Sequence, residues 1–179
     1  MINPQWLAKE HFDLAVEALP LISIDLCLVC DGKLLLGKRN NRPAQGWWFT
    51  PGGRIRKGET WNAALQRTAE DELGLNLSAG TKACLMGVWD HFYDDSAFSD
   101  QVSTHYVNLP HYCHLQSKQI CNLALPFGEA EQHSEWRWAS LDVVVVDSTV
   151  HSYARAYAQW LLDNELHNKQ LVAKASKHS

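Results

Sequence analysis

The sequence predicts an α/β protein of the α+β kind, with a mixed β-sheet sandwiched between helices. Three observations predict it. Strand-like runs alternate along the chain with two or three helical ones. One amphipathic helix, Thr60 to Leu73, lies among the strands. And 179 residues suffice for one domain with a full core and short extensions. The composition agrees: 46% hydrophobic and 20% charged residues are those of an ordinary globular chain, which excludes wholesale disorder. Only 10 Gly and 6 Pro exclude a collagen-like or low-complexity chain.

Each element follows from its local pattern. Trp6 to Leu19 carries apolar residues at helical spacing, and Pro20 ends that helix. Leu21 to Cys30 and Lys33 to Lys38 read as a hairpin joined by Asp31-Gly32. Trp47 to Thr50 is a short strand stopped by Pro51-Gly52-Gly53. In the central helix Trp61, Ala64, Leu65, Ala69 and Leu73 form one apolar stripe. Thr60 caps its start and Gly74 its end. Strands follow at Ala83 to His91, Ser103 to Leu115 and Glu135 to Ala139. Ser148 to Leu166 reads as a C-terminal helix, and Lys169 to Ser179 as a frayed polar tail.

Several functions are disfavoured at once. The net charge of −4 argues against binding nucleic acid or membrane through bulk basicity. The start, Met1 to Gln5, lacks the basic and apolar run of a signal peptide. Val143 to Val146, the longest aliphatic run, is too short to span a bilayer. The expected location is therefore the cytoplasm. Five cysteines form no disulfide framework. Cys27 and Cys30 fall on opposite faces of one strand, which disfavours zinc.

Charge is unevenly placed. Lys38 to Gly58 holds Lys38, Arg39, Arg42, Arg54, Arg56 and Lys57 and no acid. Carboxylates then begin at Glu59 and recur at Glu70, Asp71 and Glu72. A basic segment abutting a carboxylate-bearing helix suits a polyphosphate with a divalent cation. Arginine forks grip phosphate oxygens, and carboxylates hold Mg²⁺. The alternative use of the same residues is a solvated surface of ion pairs.

The spacing narrows this choice. Gly53, Glu59, Arg67, Glu72, Gly74 and Leu75 stand where the box G-x5-E-x7-R-E-U-x-E-E-x-G-U needs them, U being bulky aliphatic. Thr68, Ala69 and Asp71 depart from it. The chain thus resembles the Nudix hydrolases, with a degenerate box. The flanks Gly37 to Arg54, Gly87 to Asp95, Thr104 to Val107 and Glu131 to Trp138 resemble one branch, the GDP-mannose mannosyl hydrolases. That branch shows the same loss of box carboxylates. The likeness covers roughly Pro20 to Tyr157.

The resemblance implies a Nudix fold and a division into an N-terminal helix at 1–19, a hydrolase domain at 20–168 and a flexible tail at 169–179. It implies homodimers, with the N-terminal helix helping to build the neighbour's site. It also implies Mg²⁺- or Mn²⁺-dependent hydrolysis of GDP-mannose or GDP-glucose to GDP and free sugar. Water would attack the anomeric carbon with inversion. Carried over position by position, the metal ligands are the Gly52 carbonyl, the Glu72 carboxylate and the Gln132 amide. The general base is His133, and Arg39, Arg54 and Arg67 contact the diphosphate. Asp25, His91, Tyr93 and Tyr106 meet the sugar or the leaving group. Plainer uses exist for several of these. Arg67 can pair with Glu70 or Asp71, Asp25 can satisfy local backbone, and His133 and the tyrosines can simply pack. Two rival functions are an ordinary Nudix diphosphatase that attacks phosphorus and a non-catalytic nucleotide-sugar sensor.

Overall fold

The computed structural model describes residues 8–77, 81–129 and 131–175. Among the described residues nine strands form one sheet around β1 (Leu21–Cys30). From Ser23 onward every residue of β1 is buried, because both of its faces are covered. Its first half pairs antiparallel with β4 (Gly52–Arg54) and parallel with β7 (Thr104–Asn108). Its second half pairs antiparallel with β2 (Lys33–Arg39) and parallel with β8 (His111–His114). Outside these lie β3 (Trp48–Phe49) and β9 (His133–Ser140) on β2, β5 (Ala83–Leu85) on β8, and β6 (Trp89–Tyr93) on β7.

Two apolar clusters fill the two sides of this sheet. Ile24, Leu26, Leu28 and Leu35 face α2 (Trp61–Leu73) and bury its Ala64, Leu65, Ala69 and Leu73. Cys27, Val29, Leu34 and Leu36 face α4 (Leu141–Val146) and α5 (Ser152–Ala175), meeting Val144, Tyr157 and Leu161. Each fully buried Leu contributes roughly 1.5–3 kcal/mol. The sandwich expected from the sequence is therefore the one observed. Cys27 and Cys30 fall in different clusters, and all five cysteines are free. Among the described residues no helix is long and apolar enough to cross a membrane.

The ends of α2 are built as the sequence indicates. Thr60 Oγ1 accepts from the Ala63 N–H, and Gly74, at φ 60°, turns the chain left-handed. One stripe member differs: Trp61 is 55% exposed and stacks on His111, while Thr68 takes a buried place. Helix α1 (Lys9–Ala18) ends ahead of Pro20; Trp6 and Leu7 lie outside the described residues.

Other boundaries differ for physical reasons. The run at 83–91 divides into β5 and β6 at Gly87, whose φ is 129°. The run at 103–115 divides into β7 and β8 around Pro110. Strand β3 does stop ahead of Pro51, but Gly52 and Gly53 then belong to a further strand, β4, against Asp25 and Ile24. The aliphatic run at 143–146 lies in α4, and a further short helix, α3 (Ser117–Ile120), precedes β9. Helix α5 begins at Ser152 and continues to Ala175, through much of the stretch expected to fray.

Candidate active site

A cleft of about 720 Å³ opens where β4, α2, β6 and β7 meet. Asp25, Arg39, Gly52, Arg54, Arg67, Glu72, His91, Tyr93, Tyr106 and Gln132 all line it. Of the eleven residues carried over above, only His133 stands off its wall.

The basic arm of the cleft is tied to α2 by one clasp. Arg67 Nε donates to Glu59 Oε1 at 2.7 Å and Nη2 to Oε2 at 2.9 Å. Arg67 Nη2 also donates to the Arg54 carbonyl at 3.0 Å. Glu59 in turn accepts the Arg56 N–H at 2.9 Å. The guanidinium holds the Glu59 carboxyl below the usual carboxylate range. Asp71 lies 3.7 Å from Arg67 and is the looser partner. The main partner is thus Glu59, and neither helix acid named above. The clasp sets the loop of residues 54–59 against the helix that carries Glu72.

Arg39 and Arg54 line the cleft. Arg39 Nε donates to the Pro43 carbonyl at 2.9 Å, which fixes the fork. Arg54 lies over the Phe12 ring at 4.3 Å, a cation–π contact. Burial lowers its pKa, because desolvation disfavours the charged form.

Three oxygen-bearing groups, from Gly52, Glu72 and Gln132, line the cleft beside this arm. The Gln132 amide reaches the Gly52 carbonyl, with Nε2 donating at 3.3 Å. Burial pushes the Glu72 carboxyl up to about 7, against the pull of Arg39. A buried carboxyl with that displacement has lost hydration that a cation would replace. Carboxylate, carbonyl and amide oxygens suit a hard divalent ion. The residues present therefore fit Mg²⁺ or Mn²⁺. They do not form a multi-carboxylate cluster: no group of three or more acidic, His or Cys ligands occurs among the described residues. Thr68 supplies a buried hydroxyl where the box has a Glu, and its Oγ1 has no partner.

His133 sits behind Glu72, 1% exposed. Its Nδ1 is 3.6 Å from Glu72 Oε2, beyond hydrogen-bond range. Its Nε2 is buried without a partner. Burial and the Arg39 charge push its pKa down to about 3, so the ring is neutral. The ring fits only because residue 37 is Gly: a Cβ there would strike His133 and Trp136.

The opposite wall is aromatic and neutral. Register places His91 against Tyr106 across β6 and β7. His91 stacks on Tyr153 at 3.8 Å and 7°. Burial pushes its pKa down to about 3 and raises those of Tyr93 and Tyr106. Asp25 lies on the floor beside Gly52, and burial raises its carboxyl to about 7. A Cβ at Gly52 would collide with Asp25 Oδ1, so only Gly lets β4 lie this close.

Two further residues shape the site. Asn40 Nδ2 donates to the carbonyls of Gly128 and Glu131 at 2.8 and 2.9 Å, and its N–H to Gln132 O. It pins the loop that delivers Gln132 and His133. Tyr157 of α5 bonds Asp25 from beneath. The paired asparagines after Arg39 were a visible signal for the first. Nothing local marks the second.

A mixed sheet between helices, with a glycine-turned loop feeding a carboxylate-bearing helix at a cleft, defines a class of phosphate-handling α/β domains. The NUDIX domain description matches residues 21–161, and the chain belongs to that family. It is 40% identical over 101 residues to the low-salt glycan biosynthesis protein Agl8 of Haloferax volcanii, covering 56% of this chain and 63% of that protein. It is 39% identical over 56 residues to an ADP-ribose pyrophosphatase of Methanocaldococcus jannaschii, covering 31% of this chain and 33% of that one. Both matches span less than two thirds of the relative's length. The MutT NUDIX hydrolase of Burkholderia pseudomallei superposes with a TM-score of 0.60 at 25% identity, over 79% of this chain and 98% of that one.

Proposed function

We propose that this protein is a cytoplasmic Mg²⁺- or Mn²⁺-dependent hydrolase of GDP-mannose or GDP-glucose that releases GDP and free sugar. The single observation that carries the reading is the thinned donor set: one carboxylate, Glu72, with the Gly52 carbonyl and Gln132 amide, and Thr68 in place of a second acid. Attack on phosphorus generally draws on several carboxylates and two metals. Displacement at carbon needs only a good leaving group and a base. The likeness to a glycan biosynthesis protein supports a sugar-linked substrate, and five free cysteines suit a reducing compartment.

In this reading Arg39 and Arg54 hold the diphosphate. Arg67, already held by Glu59, keeps the Arg54 loop and α2 in register. A divalent ion held by Gly52, Glu72 and Gln132 would neutralise charge on the departing diphosphate. Asp25, His91, Tyr93 and Tyr106 face the sugar. Water oxygen bonds to the anomeric carbon as the carbon–oxygen bond to phosphate breaks, and the electron pair leaves with GDP. His133 takes the water proton in this reading, and its ring must move from its buried place off the cleft wall to reach it. The expected homodimer completes the reading, although Phe12 of α1 lies in its own chain's cleft, against Phe98 and Arg54.

The rival with a specific observation behind it is a diphosphatase, on the likeness to an ADP-ribose pyrophosphatase. Chromatography of the products from GDP-mannose and Mg²⁺ separates the two. GDP with mannose supports the proposal; GMP with mannose 1-phosphate sinks it.

A further inference from the structure

Among the described residues Tyr157 is the largest fully buried side chain, and it lies on α5, far along the chain from the box. Its hydroxyl donates to Asp25 Oδ2 at 2.9 Å and stands 2.9 Å from His91 Nε2. A phenol has one proton to give. With Asp25 ionised that proton goes to Asp25, and the second contact then draws a proton from His91 Nε2. In that state the ring is the Nε2–H tautomer, with Nδ1 an acceptor. Stacking on Tyr153 fixes the ring plane, and the Tyr153 hydroxyl is itself bonded to the N–H and the carbonyl of Phe92.

One hydroxyl thus joins two cleft-lining groups that lie 66 residues apart in the chain as 25 and 91. Both keep acceptor capacity: Asp25 through its carboxylate oxygens, which Tyr157 and Asn108 share, and His91 through Nδ1. Hexoses carry hydroxyl donors on every ring carbon but one, and stereoisomers differ in where a single hydroxyl points. An acceptor pair at a fixed separation reads two of those directions.

We propose that Tyr157 is the positioning residue that sets hexose specificity, by locking Asp25 and His91 into an acceptor-only pair for two sugar hydroxyls. The inference rests on the GDP-sugar reading above. Sites built around hydrogen bonds to a substrate hydroxyl discriminate strongly, because the wrong substrate leaves buried groups unpaired. A loosened pair loses that discrimination before it loses binding of the nucleotide.

The test is made on the full chain. The wild type is expected to favour one of GDP-mannose and GDP-glucose in kcat/KM. Tyr157→Phe keeps the ring and removes the hydroxyl, and should reduce that preference by roughly tenfold with inhibition by GDP unchanged. An unchanged preference, even with a lowered Tm, would reduce Tyr157 to a structural role. Equal rates for the two sugars in the wild type would also overturn the proposal. A second measurement needs no variant: nitrogen-15 NMR of the metal-free wild type, with His91 assigned by its loss in His91→Asn. Protonated Nε2, and an Nδ1 signal that moves with GDP-mannose but not with GDP, are the expected results. Protonated Nδ1, or no movement, contradicts the lock. Failure of the wild type to release free sugar from either substrate is a separate outcome: it removes the GDP-sugar reading and the specificity role with it.

Discussion

The two walls of the cleft are built on opposite principles. The basic wall, residues 39–72, is held by charge: Arg67 clasps Glu59 in two bonds, and Arg54 leans on Phe12. The aromatic wall, from β1, β6, β7 and α5, is held by a hydrogen-bonded chain, His91 to Tyr157 to Asp25. The clasped pair Arg67 and Glu59 is 8 positions apart in sequence; Tyr157 and Asp25 are 132 apart. The difference teaches that one wall is suited to an anion of fixed charge and the other to an uncharged group of defined shape. A diphosphate and a sugar are such a pair.

The comparison breaks most visibly at the charged end. His133→Leu is expected to lower kcat about a hundred- to ten-thousand-fold, with GDP binding measured by calorimetry little changed. Full activity would remove His133 as the base. The next effect is a pH dependence of metal binding. The Glu72 carboxyl in the folded protein sits at about 7, above its ordinary 4.5. Below pH 7 it holds a proton that a cation must displace, so affinity falls as pH falls and levels off above 7. Between pH 8 and pH 6 the Mg²⁺ dissociation constant measured by calorimetry should rise about tenfold, and Glu72→Gln should abolish the dependence. By the same linkage, the raised carboxyl costs the metal-free fold stability as pH rises through 7. Added Mg²⁺ should therefore raise Tm more at pH 8 than at pH 6.

Smaller changes sharpen the contrast. Glu59→Gln breaks the clasp while leaving Arg67 partly buried, and should cost about 1–3 kcal/mol in urea unfolding. Lys38 and Glu135 pair at 3.3 Å on the exposed surface of the same arm. Lys38→Ala should cost less than about 1 kcal/mol. If the two variants cost the same, the clasp is no more than a surface pair.

The same contrast explains what the sequence could tell. The box arm was legible because its logic is local: Gly53, Glu59, Arg67 and Glu72 stand at fixed spacing on one loop and helix. The hairpin from β1 to β2 and the caps of α2 were legible for the same reason. Strand β4 was not, because Pro51-Gly52-Gly53 reads as a stop unless Asp25 is known to need the room that Gly52 leaves. Helix α4 was hidden by its valines, whose propensity favours strands, although Leu141 and Val144 bury at helical spacing. Tyr157 sat unnoticed in an apolar helix face. Only the sheet register, which brings β1 and β6 beneath α5, gives its hydroxyl two partners.

The central claim is attack on carbon, and oxygen-18 water tests it most directly. GDP-mannose is hydrolysed with Mg²⁺ in labelled water and the products are weighed by mass spectrometry. The account predicts one label in free mannose and none in GDP. Label in GMP or in mannose 1-phosphate would place the attack on phosphorus and contradict it.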